Sequence, residues 1–288
     1  MTSKQSRTTG VSSSRVLNLT YIPKPPLSEF VALFWMYEGY TQPHAKERIM
    51  PDGSMQVVIN LQEDESRIYD PLNPDRVQRL PGSLFCGPRS RFEVIDTAEQ
   101  ASVIGIHFRP GGASRFLKMP PAELQDTTVS LDSLWGMSGR DIRNRLLEAP
   151  TPEAKLRTLE TCLLEHAVRP LERHTAVRGA LRFIGGRITE VSIAGLADQI
   201  GISRRRFIQV FSDDIGLTPK LFCRVQRFQR VLRSVHGTLD IDWADVALAN
   251  GYFDQAHFNH DFRSFSGINP GTYLKHRTPH LNHVPLLD

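Results

Sequence analysis

The chain has 288 residues, 40% of them hydrophobic and 23% charged, which is enough for two domains with cores of their own. No apolar run approaches the roughly 20 residues needed to cross a bilayer, and the Ser/Thr-rich start, Met1 to Ser14, lacks the apolar segment of a secretory signal. The net charge of +4 is unevenly placed: residues 1–175 balance 21 basic against 21 acidic side chains, whereas residues 176–288 hold 14 against 10.

Residues 1–14 read as a disordered lead-in. Residues 15–135 carry short strand-like runs at Phe30–Tyr37, Gln56–Leu61, Arg91–Ile95 and Ser102–Phe108. In the last of these Ile104, Ile106 and Phe108 alternate, as in a half-buried strand. Turn chemistry separates the runs at Pro25-Pro26, Pro51-Asp52-Gly53, Pro71 to Pro74, Pro81-Gly82 and Arg109-Pro110-Gly111-Gly112. An antiparallel β sandwich or barrel is predicted. Trp35, Tyr37, His107 and Arg109 are candidates to line a pocket for an anionic or aromatic small molecule. The alternative is structural: Trp35 as core, His107 as a satisfied sheet residue and Arg109 as a turn contact.

Enzymatic chemistry is not expected. His44, Glu47 and His107 contain no closely spaced His pair on one strand and no convincing carboxylate partner, so neither a metal nor a cofactor is predicted. There is no Gly-x-Ser-x-Gly elbow, phosphate-cradling loop or Cys-His signature, and no catalytic residue is assigned. Cys86, Cys162 and Cys223 lie far apart and read as buried thiols of a cytoplasmic protein.

Residues 136–174 form a helical connector, with Leu156, Leu159, Leu163 and Ala167 at helical spacing. That stripe either pairs with a second subunit, giving a homodimer, or packs on the N-terminal domain. Residues 175–277 are helical throughout and hold two helix-turn-helix units. In the first, Ser192 caps a helix bearing Ile193, Leu196, Ala197 and Ile200, Gly201 ends it, and Ser203 caps the next. That reading helix, about 203–214, turns Phe207, Val210 and Phe211 inward. At about 100° per residue, Arg205, Gln209 and Ser212 then face outward, flanked by Arg204 and Arg206. Arginines at a helix N-terminus oppose the macrodipole, which suits an anionic neighbour such as phosphate. The second unit repeats the pattern at about 254–265: Asp254 caps, Phe258, Phe262 and Phe265 point inward, and Gln255, Ala256, Asn259, His260 and Arg263 point outward. A connecting helix with Leu221, Val225, Phe228 and Leu232 would hold the two readers about 34 Å apart, one turn of duplex DNA. Residues 278–288 read as a tail in which His280 and His283 are solvated.

Gly251-Tyr252-Phe253-Asp254-Gln255-Ala256-His257-Phe258, Phe262-Arg263, Gly267-Ile268-Asn269-Pro270 and Tyr273 closely resemble the AraC/XylS signature. Gly201-Ile202-Ser203, Phe207, Phe211, Gly216 and Pro219 match the first half of the same module, and Asn269 stands where that family more often has Ser. The resemblance covers about residues 175–277 and implies a seven-helix DNA-binding domain that regulates transcription. More weakly, Arg48 to Gly53, Val57 to Asn60 and Gly105 to Ala113 resemble the β-rich sensor domains of such regulators, implying a cupin-like barrel. The expected whole is an α+β multidomain chain: an antiparallel β sandwich or barrel, then an all-α double helix-turn-helix domain. Its expected partners are promoter DNA, a small-molecule effector, a second copy of the chain and RNA polymerase. The competing expectation is a ligand-insensitive DNA-binding protein whose N-terminal domain only oligomerises.

Overall fold

The computed structural model describes residues 16–187, 192–238 and 240–286; the expected lead-in at Met1–Ser14 lies outside them. The first domain contributes strands β1 (Leu17–Tyr21), β2 (Val31–Glu38), β3 (Lys46–Ile49), β4 (Gln56–Asn60), β5 (Ser66–Tyr69), β6 (Val77–Leu80), β7 (Ser83–Cys86), β8 (Glu93–Asp96), β9 (Ser102–Phe108) and β10 (Thr128–Ser130). Helices α1 (Leu131–Trp135), α2 (Met137–Glu148) and α3 (Pro152–Glu165) follow. The second domain holds α4 (Thr175–Arg187), α5 (Ile193–Ile200), α6 (Arg204–Ile215), α7 (Pro219–Val235), α8 (Trp243–Ala249), α9 (Gln255–Ser266) and α10 (Pro270–His276), and the chain returns as β11 (His283–Pro285).

The strands form two antiparallel sheets, ordered β1-β2-β9-β4-β7-β10 and β11-β3-β8-β5-β6. Side-chain alternation gives each sheet two different faces. In the first sheet Phe34, Met36, Val57, Ile59, Phe85, Ile104, Ile106 and Phe108 share one core with α1 to α3. Their neighbours Trp35, Tyr37, Val58, Leu84 and His107 face a cavity between the sheets. In the second sheet Ile49, Ile68 and Ile95 face that cavity, while Val94, with Phe92 and Met50 beside it, joins the core of the helical domain. The layers therefore run helices, sheet, cavity, sheet, helices.

The connector's ambiguity is resolved by α3, whose Leu156, Leu159 and Leu163 lie in the N-terminal core. Pro152 opens this helix, and the Thr151 side chain accepts from the Ala154 N–H.

Several polar contacts join the two domains. Asp214 near the end of α6 accepts from Ser114 Oγ at 2.7 Å and from Arg115 Nη2 at 2.6 Å. Gly216, at φ +86°, ends α6 where a Cβ would meet Pro88 Cγ at 2.4 Å and the Pro121 carbonyl oxygen at 3.1 Å, so this helix end seats on the β domain only without a side chain. Gln229 of α7 donates to the Pro51 carbonyl at 2.8 Å and to Asn282 Oδ1 at 2.9 Å.

The tail departs from expectation. His280 and His283 are half-buried, Val284 pairs with Arg48 in register and is buried, and the Tyr273 hydroxyl donates to the Leu281 carbonyl. The C-terminus thus supplies an edge strand to the N-terminal domain.

Asp214→Ala leaves Arg115 without its carboxylate in a largely buried setting, and breaking such a pair destabilises by about 3–5 kcal/mol. Urea unfolding should show a loss of that order; a loss below about 1 kcal/mol would mean the contact is dispensable.

Candidate nucleic-acid interface and internal cavity

Local chemistry starts α5, α6 and α9. Ser192 accepts from the Gly195 N–H and Ser203 from the Arg206 N–H at 3.2 Å. Asp254 accepts from the His257 N–H at 2.7 Å. Gly201 and Gly216 close α5 and α6 in the left-handed conformation, and Gly267 does the same for α9. Phe207 and Phe211 are buried on the inner face of α6, as are Phe258, Phe262 and Phe265 on α9. Each fully buried phenylalanine contributes about 1.5–3 kcal/mol, which seats these two short helices.

The outer faces are open. Ser203, Arg204, Arg205, Arg206 and Gln209 are exposed and Ser212 half-buried; Gln255, Ala256, Asn259, His260 and Arg263 are all exposed. The one hydrogen bond between these side chains, among the described residues, runs from Arg206 Nη1 to Gln209 Oε1 at 3.3 Å. Asn259, His260 and Arg263 line a shallow cleft with Trp243, Asn269 and Pro270.

A residue pair outside the sequence-based candidates sets the second reader against the connecting helix. Arg224 of α7 forks onto Asp261 of α9, Nη2 to Oδ1 at 2.6 Å and Nε to Oδ2 at 3.3 Å. Asp261 is 2% exposed. No local period marks this pair, because its members lie 37 residues apart.

The cavity between the sheets measures about 380 Å³. Trp35, Tyr37 and His107 line it, but Arg109 does not. Arg109 lies past the end of β9, beyond the sheet, where Nε donates to the Ser28 carbonyl at 2.8 Å. The lining also holds residues that sequence reasoning missed: Asp52, Arg89, Glu93, Glu99 and, from the tail, His280, Asn282 and His283. Arg89 pairs with Glu93 and Thr128. His107 Nε2 stands 3.4 Å from Asp52 Oδ2. His44 and Glu47 do meet, at 3.3 Å, but the third group is His283, whose Nδ1 lies 2.8 Å from Glu47 Oε1, and not His107. Burial alone would raise the Glu47 carboxyl; its hydrogen bonds and charge interactions with His283 and then His44 outweigh this and hold it below the usual carboxylate range. Glu99 is opposite: burial pushes it up to about 7, against the hydrogen bond it accepts from the Arg67 N–H.

Two family models match the chain. Residues 196–276 match a helix-turn-helix domain, and residues 19–130 match a domain of unknown function, DUF6597. No curated protein matches. Among solved structures, an apo form of ToxT from Vibrio cholerae strain SCE256, carrying a single substitution, is similar at 10% identity and a TM-score of 0.46, over 84% of this chain and 97% of that one. The C-terminal domain of AraT, a response regulator from Geobacillus stearothermophilus, is similar at 16% identity and 0.33, over 35% and 85%. A DNA-binding transcriptional dual regulator from Escherichia coli K-12 is similar at 21% and 0.31, over 36% and 92%. Residues 196–276 are a helix-turn-helix domain of AraC type. The chain that carries it is a DNA-binding regulator of transcription.

Arg205→Ala should cost about 1–3 kcal/mol of operator binding and relax preference at one base position, whereas Arg263→Ala should weaken all sequences alike and reduce the salt slope by about 1. Binding assays at two salt concentrations separate the two; interchanged behaviour would reverse the roles.

Because the folded Glu99 carboxyl titrates above its unfolded value, its contribution to stability is present at low pH and is lost as pH rises through about 7. Glu99→Gln should therefore gain in melting temperature relative to wild type between pH 5 and pH 8. A difference that stays constant across that range would contradict the assignment.

Proposed function

We propose that the protein reads two successive major-groove segments of promoter DNA with α6 and α9, and that a small molecule in the inter-sheet cavity sets its activity. The reading faces are exposed and polar, each is held by a buried phenylalanine stripe, and α7 joins them as one connecting helix. Arg205 and Gln209 of α6, and Gln255 and Asn259 of α9, are the base readers in this assignment, with Ala256 and His260 beside the groove floor. Ser203, Arg204, Arg206 and Arg263 serve the backbone, whereas the Ser212 hydroxyl is enclosed in the fold and out of reach of the duplex.

One observation carries the effector reading: the turn at Asp52 touches both the cavity and the connecting helix. Its carboxylate faces His107 in the cavity and accepts from the Ser54 N–H at 2.8 Å, while its carbonyl accepts from Gln226 Nε2 of α7 at 2.7 Å. Gly53, at φ +78°, brings this turn against Phe222 of the same helix. A ligand that shifts Asp52 therefore acts on the helix that sets the spacing between the two readers. The tail adds a second route, since His280 to His283 wall the cavity while Asn282 holds Gln229. A dimer would double the number of half-sites, and contact with RNA polymerase would follow from binding near a promoter.

Selecting bound fragments from random genomic DNA with the full-length protein tests the first half of this reading. Two short blocks one helical turn apart are expected, and sequence-blind binding would refute it. For the second half, a thermal-shift screen supplies cavity ligands, and Val58→Trp, which fills the cavity from β4, should abolish their stabilisation and make operator affinity insensitive to them. Stabilisation that survives the substitution would place the ligand elsewhere and favour an N-terminal domain that only assembles subunits.

A further inference from the structure

A second concavity, of about 870 Å³, opens between the domains and is lined by six arginines: Arg109 and Arg173, then Arg178 and Arg182 of α4, then Arg230 and Arg233 of α7. Its floor is apolar, formed by Leu181, Ile184 and Phe222, and among the described residues Glu29 is the single carboxylate in its lining. Helical spacing produces the convergence. Arg178 and Arg182 lie one turn apart on α4, and Phe222, Gln226, Arg230 and Arg233 share one face of α7.

Nothing else in the described fold accounts for this concentration of charge. Arg173 donates to the carbonyls of Glu29 and Pro110, and Arg109 to that of Ser28, so both are anchored by neutral groups. Arg178, Arg182, Arg230 and Arg233 are exposed, and among the described residues none has a carboxylate within 4.0 Å. Like charges one turn apart weaken a helix, and here two such pairs share one concavity. Operator DNA does not relieve this arrangement. Arg224 and Phe228, which hold α9, lie on the opposite side of α7 from Arg230 and Arg233, and the N-terminal domain closes one wall.

We propose that this groove binds a small multivalent anion, one carrying two or more phosphate or carboxylate groups that the guanidinium forks grip in pairs. The anion would bridge the two domains, joining Arg109 and Arg173 to α4 and α7. The site is independent of the cavity and of the operator assignment, and it gives the regulator a second input.

The test uses tripolyphosphate as the probe, on the full-length protein at fixed ionic strength, with sodium chloride as the control. Its melting temperature should rise by roughly 3 °C or more at saturating probe. In the double variant Arg182→Gln/Arg230→Gln the apparent affinity should fall at least tenfold, and without the probe that variant should melt no lower than wild type, because like charge has been removed. The double variant Arg205→Ala/Arg263→Ala should retain the full response. The proposal is overturned by an absent response, by an equal response in Arg182→Gln/Arg230→Gln, or by a lower melting temperature of that variant without probe. Loss of the response in Arg205→Ala/Arg263→Ala would likewise overturn it, placing the anion on the DNA-reading surface.

Discussion

Strand β8 of the second sheet is covered on both faces, and the rest of the molecule is arranged around that constraint. On β8, Val94 points into the core of the helical domain while Ile95 and Glu93 point into the inter-sheet cavity. The strand is four residues long, yet consecutive side chains belong to two different compartments. The DNA-binding domain is thus not tethered by a linker alone: Phe92, Val94, Met50 and Val284 share one apolar cluster with Phe207, Phe211 and Phe265. Close-packed interiors respond to small changes of volume, so a change on the cavity side of this sheet is felt on the helical side.

Polar contacts then set the angle between the domains. Asp214 meets Ser114 and Arg115, Gln226 meets the carbonyl of Asp52, and Gln229 meets Pro51 and Asn282. Each lies on α6 or α7, and none on the exposed faces of the readers. On α6 the contacts with the β domain and the exposed polar face therefore occupy different sides, and α7 carries none of the residues proposed to read DNA. This separation leaves the readers accessible while the connecting helix remains held by the β domain. The arginine groove lies on the interface side, apart from both the cavity and the readers.

The tail completes this frame. β11 adds an edge to the second sheet, Leu286 donates to the Lys46 carbonyl at 2.9 Å, and Glu47 is clasped between His44 and His283. A carboxylate that is 1% exposed needs such partners, since an uncompensated buried charge is costly. The polar part of the cavity joins Asp52, Arg89, Glu93, Glu99 and His107 of the β domain to His280, Asn282 and His283 of the tail. Among the described residues, no group of three or more His, Cys, Asp or Glu side chains is placed to hold a metal ion.

Much of the helical domain was legible in the sequence because its determinants are local. A cap at Ser203 or Asp254 acts three residues away, a closing glycine acts at its own φ, and a phenylalanine stripe repeats every three or four residues. The strands at 31–38, 56–60 and 102–108 were legible for the same reason, through alternation and bounding turns. By contrast, β3, β5, β6 and β7 are four residues each, too short for alternation to stand out. β11 is three residues long and contains Pro285; its partner β3 lies more than 200 residues earlier in the chain. The sequence by itself determined the two capped helices α6 and α9 and a turn-punctuated β domain. Only tertiary structure decided that Arg109 lies outside the cavity, that His283 rather than His107 meets Glu47, and that six arginines from two domains line one groove. Those outcomes rest on strand pairing and domain docking, in which the interacting groups are distant in sequence and no local period marks them.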